Sequence, residues 1–158
     1  MNRETSSESR SDCERNAYDL KVTGAYALFT IPATRTGGEK CTYHTPTYEA
    51  IKGVLKSVYW KPSIVWHVEK VRVMKPIRTR ARASVFTDFQ EYGKNGFFTA
   101  SYLVDVEYRV RAGFAPNEVQ VHLENDSRNF GKHERCFLDA LEKGGRMSPF
   151  LGTSECAA

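Results

Sequence analysis

Between Tyr102 and Phe114 apolar and polar residues alternate for the length of a long strand. Tyr102, Val104, Val106, Tyr108, Val110 and Ala112 point one way, and Asp105, Glu107, Arg109 and Arg111 the other. Period two over such a stretch describes an antiparallel strand, buried on one face and wet on the other. Such a strand needs neighbours for its backbone and a second layer for its apolar face, so the rest of the chain is read for both.

The first neighbour is Leu20, Val22, Gly24, Tyr26 and Leu28, again at period two. Gly37-Gly38 marks a turn. Thr47 then caps a helix whose Ile51, Val54, Leu55 and Val58 fall at i, i+3, i+4 and i+7, ending near Tyr59 and before Pro62. Ser63 to Met74 is rich in Val, Ile and Trp. Its apolar phase changes between Val68 and Val71, which predicts a bulge, and Pro76 predicts an edge position. Arg78 to Thr99 holds Gly93 and Gly96 and few aliphatics, as in a long hairpin tip or insertion. Lys132 to Lys143 is a helix with His133, Phe137 and Leu141 at i, i+4 and i+8, stopped by Gly144-Gly145. The order βαββα predicts an α+β fold, ferredoxin-like or RRM-like, with an antiparallel sheet and two helices. The last strand is short or missing, because Phe150 to Cys156 barely begins one.

The 158 residues suit one core. Residues 1–16 carry almost nothing to bury and read as a disordered polar tail, leaving 17–158 as the domain, with the hairpin insertion at about 78–101. The tail is neither a signal peptide nor a presequence, and no apolar run approaches the roughly 20 residues of a membrane span, so a cytoplasmic, membrane-free protein is expected. Cys13, Cys41, Cys136 and Cys156 are widely spaced without a CxxC pair, which predicts reduced thiols and no zinc. A net charge of +4 permits a polyanionic partner without demanding one.

Two constellations carry chemistry. The first is a basic stripe, Lys70, Arg72, Lys75, Arg78, Arg80 and Arg82, whose last three members are spaced by two and would share one side of an extended segment. A solvated edge that blocks aggregation is the plain alternative. The second is split between Tyr59 in Tyr59-Trp60-Lys61-Pro62 and Gly131-Lys132-His133 at a helix start. An imidazole moves a proton near neutral pH, an ammonium neutralises a phosphorane, and a phenol positions or relays. Together they cover metal-free cleavage of RNA by its own 2′-hydroxyl. The helix N-terminus attracts phosphate and favours a neutral imidazole. Judged singly, His133 could lean on Phe137, and Tyr59 could be an interior aromatic bonded to backbone. His44, His67 and His122 show no metal spacing. Phosphate loops, nucleophile elbows and paired carboxylates are missing. Arg109 and Arg111 stand where stacking rings would sit in an RNA-recognition motif, which favours reading of shape and phosphate.

Several blocks resemble the CRISPR-associated precursor-RNA endonucleases of type I-C systems, the d subtype of the fifth Cas family. They are Gly24 to Thr30, Gly37 to Lys40, Pro46-Thr47, Ile51 to Gly53, Tyr59 to Pro62, Val73 to Ile77, Tyr102 to Val106, Gly131 to His133, Lys143 to Arg146, Phe150 to Gly152 and Glu155-Cys156. The resemblance implies a catalytic set of Tyr59, Lys132 and His133, with no metal and no cofactor. RNA contacts are expected from Lys61, Lys75, Arg78, Arg80, Arg82, Arg109 and Arg111. It also implies cleavage of the repeat of a precursor CRISPR RNA beside its stem-loop, a 2′,3′-cyclic phosphate product, and retention of the 5′ handle. The further partners are the backbone and large subunits of a surveillance complex, and double-stranded DNA binding is left open. Other branches of the family keep only handle binding, the alternative function. Ala25, Phe130 and Ser154 depart from the usual pattern. Family members continue beyond this point, so a C-terminally truncated ferredoxin unit is expected, and a degenerate fragment is a further alternative.

Overall fold

The computed structural model describes residues 17–34, 39–87, 95–117 and 130–158. The polar tail, the Gly37-Gly38 turn, Gly93, Cys13 and His122 lie outside them.

The sheet is organised on one strand. Strand β1 is Tyr18–Ala27, β2 Glu39–Lys40, β3 Ile64–Val73, β4 Thr79–Thr87 and β5 Asn95–Pro116; helix α1 is Tyr48–Val58 and α2 Phe130–Glu142. β5 pairs with every other strand. Along one edge it takes β2 and then β1; along the other it takes β4 and then β3. All pairings are antiparallel except the two-residue β2 ladder, which is parallel and corrects the expectation of a purely antiparallel sheet. The α+β, ferredoxin-like plan stands, with β1, α1, β3, β5 and α2 as its βαββα frame.

β5 outruns the alternation that announced it, and its alternation is broken. Asp105 has φ of +52°, the left-handed region that Asp tolerates better than most residues. Leu103 is buried beside Tyr102, so strict alternation fails there. The kink sits where β5 leaves β4, whose last partner is Leu103, and meets β3, whose first is Tyr108. The link between β3 and β4 stitches this junction: Met74 N–H donates to the Glu107 carbonyl (2.9 Å), Val104 N–H donates to the Arg78 carbonyl (3.0 Å), and Lys75 Nζ lies 2.7 Å from the Asp105 carboxylate. Pro76 lies in this link and not on a strand edge, because the chain must turn between two strands that share one partner. The bulge read from the phase change is present as a register shift between Val68 and Lys70.

Thr47 caps α1, its hydroxyl accepting the Ala50 N–H at 3.3 Å. Ile51, Val54 and Leu55 are the buried stripe. Tyr59 ends the helix in extended conformation, its N–H donating to the Leu55 carbonyl at 3.0 Å. After α2, Gly144 and Gly145 adopt φ of +84° and +85°, which turns the chain back onto α1. There the N–H groups of Met147 and Arg146 donate to the carbonyls of Ser57 (2.9 Å) and Val58 (3.0 Å), so two orphan carbonyls of α1 are satisfied by a distant segment. Leu141 is exposed, so among the described residues α2 buries His133 and Phe137 and rests Ala140 half-buried against the core. The final segment makes one bridge, Phe150 with Ala157, and plugs the end of β1 through buried Leu151 and Cys156, with Leu28 N–H donating to the Leu151 carbonyl at 3.0 Å.

Candidate active site

Tyr59 is fixed at three points. Its N–H closes α1, its carbonyl accepts the indole N–H of Trp66 at 2.8 Å, and its hydroxyl lies 2.8 Å from Nδ1 of His133. The last contact joins residues 74 apart in the chain. It depends on α2 lying over the sheet, where Phe137 packs on Trp66 (ring centroids 5.1 Å), Tyr18 (5.2 Å) and Tyr59 (6.5 Å). His133, four residues before Phe137, therefore enters the same layer. Its ring contacts are Tyr59 at 6.1 Å and Phe114 at 6.2 Å, edge on.

The pair is interior. Tyr59 is 8% and His133 4% exposed, so the 2.8 Å bond is little screened by solvent and orients the imidazole firmly. Neighbouring positions on a helix diverge, and Lys132 lies on the surface, beside Gly131, Arg135 and Cys136 around a hollow of about 480 Å³. The structure thus joins Tyr59 to His133 and turns Lys132 outward.

The cationic residues fall into four places. Lys61 is exposed at the corner after α1, next to Trp60, whose ring carries Arg146 at 5.6 Å. Arg78 immediately precedes β4, and Arg80 and Arg82 share one face of that strand, opposite Tyr102 and Ala100. Arg109 and Arg111 are on the exposed face of β5. Lys75 is held by Asp105 and, at 3.9 Å, by Glu107, an arrangement whose first effect is to raise the ammonium pKa through the Asp105 hydrogen bond. Arg111 is held by Glu69 (3.0 Å) and Asp19 (4.0 Å). Sequence reasoning missed Trp66 as the support of Tyr59 and Lys21 as a neighbour of Arg109; an indole seven residues past Tyr59, and a lysine in the wet phase of β1, were the available signals.

Residues 17–158 match the family described as CRISPR-associated protein (Cas_Cas5), in its Cas5d group. The chain belongs to the Cas5d family of CRISPR-associated proteins. It is 29% identical over 150 residues to the "CRISPR pre-crRNA endoribonuclease Cas5d" of Thermus thermophilus, covering 88% of this chain and 61% of that protein. It is 40% identical over 63 residues to the protein of the same name from Mannheimia succiniciproducens, covering 40% of this chain and 27% of that one. The chain thus spans less than two-thirds of the length of these curated relatives. A crystal structure of a CRISPR-associated protein superposes with a TM-score of 0.71 at 33% identity, over 89% of this chain and 63% of the other. Among the described residues no helix is long and apolar enough to cross a membrane.

Proposed function

We propose that this chain is a metal-independent endoribonuclease that cuts the repeat of a precursor CRISPR RNA and keeps the 5′ handle as a subunit of a surveillance complex. The observation that carries this reading is the buried 2.8 Å bond between the Tyr59 hydroxyl and His133 Nδ1, found in a chain whose curated relatives are named pre-crRNA endoribonucleases.

In this mechanism the 2′-hydroxyl attacks the adjacent phosphorus, its proton passes to a base, and the bond to the 5′-oxygen breaks as that oxygen takes up a proton. The products are a 2′,3′-cyclic phosphate and a 5′-hydroxyl. Tyr59 engages Nδ1, so proton transfer falls to Nε2 of His133. When Nδ1–H donates to the phenol, Nε2 is a base; when the phenol donates to Nδ1, Nε2–H is an acid. One pair therefore serves either step, and Tyr59 positions the ring. Lys132 neutralises charge on the phosphorane from the surface beside it.

A second reading, a handle-binding subunit without cleavage, is favoured by the burial of His133, since RNA must reach a group only 4% exposed. Incubating the protein with a stem-loop repeat RNA in EDTA separates the two. The cleavage reading expects product from the ribo strand and none when the scissile nucleotide is 2′-deoxy. His133→Ala should lower the rate by about two to four orders of magnitude while RNA affinity stays within about twofold. Binding with neither RNA cut selects the handle-binding reading.

A further inference from the structure

The sheet face opposite the helices carries an ordered set of cations. In the strand register Lys21 of β1, Arg109 of β5 and Arg72 of β3 lie side by side, and Lys70 lies beside Arg111 one step along. Neighbouring strands are about 4.8 Å apart, so the first row runs about 10 Å across three strands. Lys21, Lys70, Arg72, Arg109 and Arg111, with Asp19, line one open hollow of about 520 Å³. Carboxylates bound the row on both sides along the strands. Glu107 pairs with Lys21 (3.2 Å) before it, and Glu69 and Asp19 hold Arg111 after it. Among the described residues no salt bridge engages Lys70, Arg72 or Arg109. The track is therefore positive across the strands and closed by negative charge along them.

Among the described residues, the lining of this hollow includes no aromatic ring. Sheets that bind single-stranded RNA present aromatic rings for bases to stack on, whereas Lys21, Thr23, Arg109, Arg111, Lys70 and Arg72 offer charge and a hydroxyl. Forked guanidiniums set side by side across three strands suit the phosphates of a helix whose bases are already stacked inside.

We infer that this face is a second RNA surface, separate from the Tyr59–His133 pair, which grips the phosphate backbone of a base-paired RNA stem through Lys21, Arg72, Arg109, Lys70 and Arg111. It deepens the reading of the chain as an RNA-processing protein and rests on it. The stem is held by its backbone while the pair acts elsewhere on the same molecule.

The test uses a His133→Ala background, so that binding is read without cleavage, and a short RNA hairpin, an unstructured RNA of equal length and a DNA duplex as probes. The double variant Arg72→Gln/Arg109→Gln changes only exposed side chains, and equal thermal midpoints verify its fold. It should weaken hairpin binding about tenfold or more at low salt and reduce the slope of log affinity against log salt by about 2. Glu69→Gln, which releases Arg111, should tighten hairpin binding. Unchanged hairpin affinity in the double variant overturns the inference. So does equal loss on the unstructured RNA, or tighter binding of the DNA duplex than of the hairpin. Failure of the proposed cleavage is a separate result: a protein that grips the hairpin through this face yet yields no product in its His133 form loses the reaction and keeps the surface.

Discussion

The indole N–H of Trp66 donates to the backbone carbonyl of Tyr59 at 2.8 Å, while the Tyr59 hydroxyl meets His133 at the same distance. A fully buried core residue on β3 therefore sets the height of the phenol at which α2 presents its imidazole. Trp66→Phe keeps an aromatic ring but removes the indole N–H and some buried volume, leaving that carbonyl short of a donor. It should cost about 1 to 3 kcal/mol in urea unfolding and lower cleavage by more than it lowers RNA affinity.

Tyr59→Phe removes only the oxygen. If the phenol orients the imidazole, cleavage falls about tenfold to a hundredfold and the pH profile of the single-turnover rate shifts, since the imidazole loses its partner. A rate and profile matching the parent would assign Tyr59 to packing alone.

The kink of β5 isolates a backbone requirement from a charge. Asp105→Gly should leave the thermal midpoint nearly in place, because φ of +52° suits glycine and solvent screens the exposed pair with Lys75. Asp105→Val should destabilise by about 1 to 3 kcal/mol, because a β-branched residue is strained there. Equal effects of the two would place the cost in the lost carboxylate.

Gly152 has φ of +94°, and a Cβ there would meet the Leu28 carbonyl oxygen at 1.9 Å. Backbone cannot yield as a side chain tip can, so Gly152→Ala should cost about 2 kcal/mol or more and loosen the end of β1. Amide exchange at Leu28, whose N–H is bonded to the Leu151 carbonyl, reads that loosening directly.

Burial pushes the Tyr108 phenol up to about 12, and burial followed by the Glu134 carboxylate does the same to Tyr18. An unfolded tyrosine titrates near 10. Between pH of about 10 and 12 the unfolded chain has released protons that the folded chain retains, so stability holds below about 10 and falls as pH rises. Urea unfolding across that range checks the sign, and Tyr108→Phe should make the fall shallower.

β1, β3, the later part of β5 and α1 were legible because their burial is one-sided: period two in β1, and the Thr47 cap before Ile51, Val54 and Leu55, each report a local choice that tertiary structure left alone. The bulge after Val68 showed itself as a phase change. Asp105 gave no such warning, since its left-handed turn answers a junction between β3 and β4 that exists only once β5 has paired with both. Tyr59 and His133 were each visible as chemistry, but their contact depends on Phe137 seating α2 against Trp66. Lys75 was legible as a cation but its pairing was not, because nothing local reveals that Asp105 and Glu107 fold onto it.

Because every other strand leans on β5, synthesis imposes a delay. Tyr18 must wait for Ala112, roughly 90 residues later, before its ladder can close. At about 5 to 20 residues per second that is about 5 to 20 s in which an amphipathic β1 leaves the ribosome without its mate. Synonymous changes that slow translation between β1 and β5 should lower soluble yield, and supplying a hydrophobic-binding chaperone should restore it.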